Sequence, residues 1–126
     1  MVPAPEPRFL LDLQQVDDRT CLVTAAGELH MSTAPRLGAH LRDAMRSGYD
    51  RVVVDLSHVQ FIDSTGLGVL LSGLRELQRR GGRLVVVASN PTVLRLFAIT
   101  GTDTTLGVQA SRQAGLAAVT AEHEPA

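Results

Sequence analysis

A run of three consecutive valines in the middle of the chain constrains its fold more than any other sequence feature. The run lies within residues 51–56, Arg-Val-Val-Val-Asp-Leu, and its lack of regular alternation is typical of a strand covered on both faces. Leucines then recur at helical spacing over residues 64–80, and a second apolar run occupies residues 84–88. A strand, a helix and a further strand in this order predict two parallel strands joined by a right-handed crossover, and hence an α/β fold.

The segment before this unit predicts a β-hairpin. Apolar and polar residues alternate over residues 9–14, Asp17 and Asp18 favour a turn, and residues 20–27 are again strand-like. We therefore expect a small mixed sheet that opens with an antiparallel pair and continues with parallel strands.

The remaining segments predict helices and one short strand. Thr33, Asn90 and Ser111 are each suitable N-caps for the helices expected to follow them. We expect residues 84–88 to form a second central strand and residues 105–108 to form a short strand at the sheet edge.

Composition limits the classes of function. A chain of 126 residues, 44% hydrophobic, fits one compact domain, expected at residues 9–121 between a disordered lead (residues 1–8) and a frayed tail (residues 122–126). A net charge of -1 and 3% aromatic residues argue against nucleic-acid binding. No apolar run approaches the roughly 20 residues of a membrane helix, and the single cysteine, Cys21, fits a reduced cytoplasm. We expect no cofactor and no metal site, because the histidines are scattered and no phosphate-loop motif is present.

The segment Asp63-Ser64-Thr65-Gly66 is the strongest candidate for a functional site. A loop at residues 57–64 is expected at the carboxyl ends of the parallel strands, where α/β proteins usually bind their ligands. An exposed serine at the start of a helix can cap it, contributing about 1 kcal/mol. It can also accept a phosphate that changes the binding of a partner. The spacing alone leaves both interpretations of Ser64 open.

A second stripe on the same predicted helix consists of Gly66, Val69 and Gly73. Glycine inside a helix costs about 1 kcal/mol relative to alanine, so two glycines on one stripe indicate close approach by another segment. That segment belongs either to this domain or to a partner protein.

These residues resemble a known family. The similarity spans residues 9–119 and is to the STAS domain of bacterial anti-sigma factor antagonists. It rests on Ile62-Asp63-Ser64-Thr65-Gly66-Leu67-Gly68-Val69-Leu70, on Gly27-Glu28-Leu29 with Thr33, on Gly81-Gly82, and on Pro91, Val93, Arg95-Leu96-Phe97 and Gly101. The resemblance implies a small sheet with helices packed mainly on one side.

The resemblance also implies a function. In that family the serine of the motif, here Ser64, is phosphorylated by an anti-sigma factor that is a serine kinase, and a metal-dependent phosphatase removes the phosphate. The dephosphorylated protein binds the kinase and frees its sigma factor, and it is not itself an enzyme. Taking the resemblance together with the stripe on the predicted helix, the partner-binding residues we expect are Asp63, Ser64, Thr65, Gly66, Val69, Gly73, Glu28 and His30.

His30 departs from the family pattern, which often has aspartate at this position. Histidine lacks the permanent negative charge of aspartate and can gain a proton near neutral pH. If its loop reaches the Ser64 edge, we expect this difference to affect the choice of partner more than phosphorylation.

Three other functions can be compared with this one. A hydrolase would need Ser64 as nucleophile, but no G-x-S-x-G elbow surrounds it. Nucleotide binding would rest on Gly66 and Gly68 alone, without the third glycine of the fingerprint. The main alternative is a STAS module of another assembly, such as a stressosome-like scaffold or a lipid-transport complex.

Overall fold

The sheet has four strands, and their order in space is their order in the chain, β1-β2-β3-β4. The computed structural model describes residues 8–121. The predicted tail, and the predicted lead apart from Arg8, lie outside them. The described elements are β1 (Leu10–Gln15), β2 (Thr20–Leu29), α1 (Ala34–Arg46), β3 (Arg51–Ile62), α2 (Ser64–Arg79), β4 (Arg83–Val87), α3 (Pro91–Thr100), α4 (Thr102–Thr105) and α5 (Arg112–Thr120).

The opening hairpin is confirmed. Strands β1 and β2 are antiparallel, with Leu10 opposite Ala26 and Gln15 opposite Cys21. The Oδ1 atom of Asp17 accepts hydrogen bonds from the backbone N–H groups of Arg19 and Thr20, both at 2.8 Å. Such a side-chain turn brings the two strands together without a glycine.

The three valines of β3 explain why this strand lies in the interior. Val52 and Val54 point into the larger core, together with the buried faces of α1, α2 and α3. Val53 points to the opposite face, where it packs with Val119 of α5. Side chains alternate between the faces of a strand, so a strand covered on both faces needs apolar residues at consecutive positions. The expected mixed sheet with helices mainly on one side is confirmed, with α5 covering the other face.

Two strands are longer than the sequence predicts. Strand β2 continues to Leu29 and β3 to Ile62, and these two residues pair in the parallel ladder. The predicted loop at residues 57–64 is therefore wrong. Val59 and Ile62 are buried, so this half of β3 has an apolar face to cover and stays in the sheet.

The far edge of the sheet also differs from the prediction. Strand β4 is the last strand, not a central one, and residues 105–108 do not form a strand. Gly101 adopts a left-handed conformation with φ of 70°, and the short helix α4 follows it directly. Gln109 alone, among the residues described, forms an isolated bridge to Val87 and so protects part of the β4 edge.

Candidate functional site

The carboxyl ends of β2 and β3 create the site. Because Leu29 and Ile62 are paired, the loop after β2 lies beside the start of α2. The backbone N–H of Asp63 donates to the carbonyl oxygen of Leu29 at 3.1 Å. A single residue, Asp63, therefore connects β3 to α2 at the edge where the functional loop was expected.

Asp63 is the N-cap of α2, and its carboxylate has two backbone partners. Oδ1 accepts a hydrogen bond from the N–H of Gly66 at 2.9 Å, which satisfies one of the unpaired donors of the first turn. Oδ2 accepts a hydrogen bond from the N–H of Met31 at 3.1 Å. The same carboxylate thus caps the helix and holds the β2–α1 loop against it.

Ser64 is the first residue of α2, and its side chain is exposed. The interpretation of Ser64 as the helix cap is wrong, because Asp63 occupies that position. Across residues 8–121 the Ser64 hydroxyl makes no hydrogen bond. Thr65, the next residue, is exposed as well. Ser64 therefore presents a hydroxyl group that the fold itself does not use.

Two exposed apolar side chains belong to the same edge. The side chain of Met31, the residue bonded to Asp63 through its backbone, is 72% exposed. Phe61, near the end of β3, is 41% exposed. Neither residue was predicted as part of the site, because their exposure depends on where β2 and β3 end. Both add exposed apolar surface to the edge that carries Ser64.

The start of α2 also favours negative charge. The helix dipole places roughly half a positive charge at this end, and the first N–H groups have no partner within the helix. A phosphate on Ser64 would lie at the favourable end of a helix of 16 residues.

Gly66 and Gly73, the two glycines of the second stripe on α2, are buried inside the domain. A Cβ atom on Gly66 would lie 2.7 Å from the carbonyl oxygen of Leu29, and one on Gly73 would lie 3.1 Å from a methyl carbon of Leu41. Of the two alternatives for the close approach at these glycines, the structure supports packing against a segment of this domain, and their part in partner binding stays a prediction. They are small because β2 and α1 pack closely against α2 at these points. Val69, between them, is partly buried against the core.

Glu28, at the end of β2, and His30, on the loop that follows, interact with each other. The Nε2 atom of His30 is 3.8 Å from Oε2 of Glu28, and its Nδ1 accepts a hydrogen bond from the N–H of Ser32 at 3.2 Å. Thr33 lies at the N-cap position of α1, but its hydroxyl donates to the carbonyl oxygen of Glu28 at 2.6 Å. The loop reaches the Ser64 edge through Met31. A role for His30 in partner choice stays a prediction.

Three further features of the described residues concern the cysteine, metal binding and helix length. Burial raises the pKa of the Cys21 thiol to about 11, so the thiol is protonated and unreactive at neutral pH. Residues 8–121 contain no group of three His, Cys, Asp or Glu side chains able to hold a metal ion. In the same range, no helix is long and apolar enough to cross a membrane.

Comparison with known proteins identifies the family to which this fold and motif belong. The family model described as "Mlab, STAS domain" matches residues 4–110. The chain belongs to the STAS domain family. An anti-sigma F factor antagonist from Paenibacillus polymyxa is 33% identical to this STAS protein over 81 residues, which cover 64% of this chain and 69% of that protein.

Solved structures agree with this assignment. The crystal structure of an anti-sigma factor antagonist from Mycobacterium paratuberculosis is similar with a TM-score of 0.83 at 29% identity, covering 95% of this chain and 100% of the other. Unphosphorylated SpoIIAA is similar with a TM-score of 0.77 at 22% identity, covering 91% and 100%. The phosphorylated form of SpoIIAA, from Bacillus, gives 0.68 at 24% identity, covering 87% and 99%. At these identities the likeness to SpoIIAA shows the STAS fold alone.

Proposed function

We propose that this protein is an anti-sigma factor antagonist whose partner binding is switched at Ser64. With Ser64 unmodified, it binds an anti-sigma factor that is a serine kinase, and the sigma factor of that kinase is released. When the kinase transfers a phosphate to Ser64, the complex dissociates. A metal-dependent serine phosphatase restores the binding form. Relatives at 33% and 29% identity, both named anti-sigma factor antagonists, support the proposal.

The observation that carries the proposal is the division of roles between Asp63 and Ser64. Asp63 supplies the cap that α2 needs, and the Ser64 hydroxyl is exposed beside it with no hydrogen bond in the described chain. A kinase can therefore reach the hydroxyl without unfolding the start of the helix. Phosphorylation also costs the helix no capping interaction.

Charge explains why the phosphate would release the partner. Phosphoserine adds about −1.5 to −2 charges at neutral pH, next to the carboxylate of Asp63. The exposed side chains of Met31 and Phe61 give the same edge an apolar character that suits a close contact. Burying a doubly charged group in such a contact is unfavourable unless the partner supplies matching cations. Each 1.4 kcal/mol lost reduces affinity about tenfold.

The protein acts in this proposal as a binding protein and not as an enzyme. The kinase supplies the catalytic residues and the ATP, and this chain supplies only the accepting hydroxyl. The proposal places it in the cytoplasm, where transcription takes place. It assigns no role in binding nucleic acid or a membrane.

The test is phosphate transfer between purified proteins. The chain is mixed with candidate serine-kinase anti-sigma factors and ATP, and its intact mass is followed before the modified peptide is located. We expect one phosphate, on Ser64, and none on Ser64→Ala. Ser89→Ala is the matched control, because Ser89 is an exposed hydroxyl after β4 that is not among the partner-binding residues, and its loss should leave transfer intact.

Affinity for the same kinase completes the test. We expect Ser64→Ala to bind as the unmodified protein does and Ser64→Asp to bind at least tenfold more weakly. Equal affinity for Ser64→Asp would contradict the charge mechanism. Stable binding with no phosphate transfer by any candidate would instead favour the alternative, a STAS module of a non-switching assembly.

A further inference from the structure

A long groove separates α1 and α2 on the face of the domain away from the sheet. Its volume is about 710 Å³, and its lining residues on α2 run from Thr65 to Arg80 at the helix end. At 1.5 Å per residue this part of the helix is roughly 22 Å long. Gly68 opens one wall, since a Cβ atom there would have no neighbour within 4 Å.

Arginine side chains line the groove along both helices. Five of the twelve basic residues of the chain line it, against a single acidic residue, Glu76. They are Arg42, Arg46, Arg75, Arg79 and Arg80. Because the whole chain has a net charge of -1, this groove is a local concentration of positive charge on a nearly neutral molecule.

Several of these guanidinium groups are not neutralised. Arg79 and Arg80 share the carboxylate of Glu76, so one carboxylate serves two cations. Arg42 and Arg75 are exposed, and within the described residues neither forms an ion pair with a carboxylate. Arg75 makes one long hydrogen bond to the Ser72 hydroxyl, at 3.5 Å. Arg46 lies 3.4 Å from the carboxylate of Asp43, so Arg42 and Arg75 are the arginines most available to an acidic ligand.

Apolar groups lie between the arginines. Val69 of α2 is partly exposed in the groove, whereas Leu41 and Met45 of α1, which also line it, are 1% and 5% exposed. An amphipathic helix binds a groove of this kind by placing apolar side chains on the floor and charged side chains on the rims.

The groove fits an acidic polypeptide better than other anionic ligands. Guanidinium groups bind carboxylates in pairs of parallel hydrogen bonds, with defined geometry. Single-stranded nucleic acid usually stacks its bases on aromatic side chains, and none of the described groove residues is aromatic. On α1 the lining runs only from Gly38 to Arg46, about 12 Å, so both helices flank the groove over about two helical turns, which a small anion would fill only in part.

We propose that the groove between α1 and α2 binds an acidic, amphipathic helical segment of a partner protein. The site goes beyond the switch at Ser64, since it needs no phosphorylation and its charged residues lie further along the helix. Thr65 borders both regions, so one partner can contact the groove and the Ser64 edge together.

The test is selection of peptides by the whole protein. The chain is immobilised and panned against a library of random peptides about 15 residues long, enough for four helical turns. We expect the enriched peptides to be rich in Glu and Asp, with apolar residues every three or four positions. Their affinity should fall with rising salt concentration, because the arginines are partly exposed.

Charge-reversal variants test whether the selected peptides bind in the groove between α1 and α2. Arg42→Glu with Arg75→Glu should reduce affinity for the selected peptides at least tenfold. Arg8→Glu with Arg95→Glu is the matched control, since both arginines are exposed outside the groove and the change in net charge is the same. The neutral pair Arg42→Gln and Arg75→Gln should give an intermediate loss, and thermal unfolding verifies that all variants are folded.

Several results would overturn the proposal. One is enrichment of peptides without acidic character, and another is equal loss of affinity in the groove variant and its control. A third is groove-dependent binding of phosphatidylglycerol vesicles or single-stranded DNA without selection of acidic peptides. The proposed function is judged separately by phosphate transfer to Ser64, so either proposal can fail while the other stands.

Discussion

Asp63 and Ser64 are neighbours with separate roles at the start of α2. The carboxylate of Asp63 accepts hydrogen bonds from Gly66 on its own helix and from Met31 on the preceding loop. Ser64 is exposed, and within residues 8–121 its hydroxyl takes no part in these contacts. Modification of Ser64 can therefore change the surface of the protein while the interior hydrogen bonds stay as they are.

Two alanine substitutions separate these roles. Asp63→Ala removes the cap and the loop contact, and we expect it to lower the free energy of unfolding by about 1–2 kcal/mol. Ser64→Ala should change it by less than about 0.5 kcal/mol, as for other exposed positions. Urea unfolding of both variants measures the difference. If Ser64→Ala were the more destabilising variant, the assignment of the cap to Asp63 would be wrong.

At the scale of one element, α2 combines an inner and an outer glycine. Gly66 is buried against β2, and its backbone approaches Leu29 too closely for any side chain. Gly68 is exposed and opens the groove beside α1. The motif Gly66-Leu67-Gly68 thus serves close packing on one side of the helix and an open surface on the other.

This difference predicts opposite effects of the same substitution. A methyl group on Gly66 would lie 2.8 Å from Cγ of Leu29, so we expect Gly66→Ala to destabilise the protein by about 1–3 kcal/mol. Gly68→Ala meets no neighbour within 4 Å and should stabilise the helix by up to about 1 kcal/mol. Thermal unfolding compares the two variants. A similar melting temperature for both would contradict the close packing at Gly66.

At the scale of the whole molecule, an ion pair between a buried carboxylate and a half-exposed arginine connects the start of α5 to the middle of the sheet. Asp55 of β3 is 2% exposed, and its Oδ2 lies 2.9 Å from Nη2 of Arg112. Its Oδ1 accepts hydrogen bonds from the hydroxyl and the N–H of Ser57, at 2.6 and 2.9 Å. Burial alone would raise the pKa of Asp55, but the hydrogen bonds from Ser57 and Arg112 outweigh it and hold the pKa below its usual value.

This ion pair predicts how stability depends on pH. Because folding lowers the pKa of Asp55, its stabilising effect is full above the unfolded value, near pH 4, and is lost as pH falls through the folded value. We expect Asp55→Asn to lower the free energy of unfolding by about 1.5–3 kcal/mol at pH 7. The deficit should shrink below pH 4.

Urea unfolding of the two proteins between pH 7 and pH 3 tests this expectation. Asp12→Asn is the control, because Asp12 also lies in a strand but is exposed, and it should follow the unmodified protein at every pH. A deficit for Asp55→Asn that stays constant over the whole range would show that the charge of Asp55 contributes no stability.

Much of the fold follows from local patterns. The successive valines of β3 predicted a strand covered on both faces, and α5 does cover the second face. Asn90 and Ser111 were predicted as caps, and their side chains accept hydrogen bonds from Thr92 and Ala114. These features depend on residues a few positions apart, so the sequence displays them directly.

Other features depend on contacts between distant parts of the chain. The length of β3 depends on pairing with β2, which continues to Ile62. Propensity over residues 105–108 favoured a strand, but helix α4 ends at Thr105 and a turn follows at residues 106–107. With no strand formed there, β4 is the last strand of the sheet.

The sequence by itself determined the order of the strands and helices from β1 to α3 and directed attention to Ser64, because periodicity and motif are local properties. Only the tertiary structure decided that Asp63 is the cap, that Gly66 and Gly73 are buried, and that Met31 reaches the site. It also decided that arginines from α1 and α2 line one groove. The physical reason is the same throughout: which groups meet depends on strand pairing and helix packing between segments far apart in the chain.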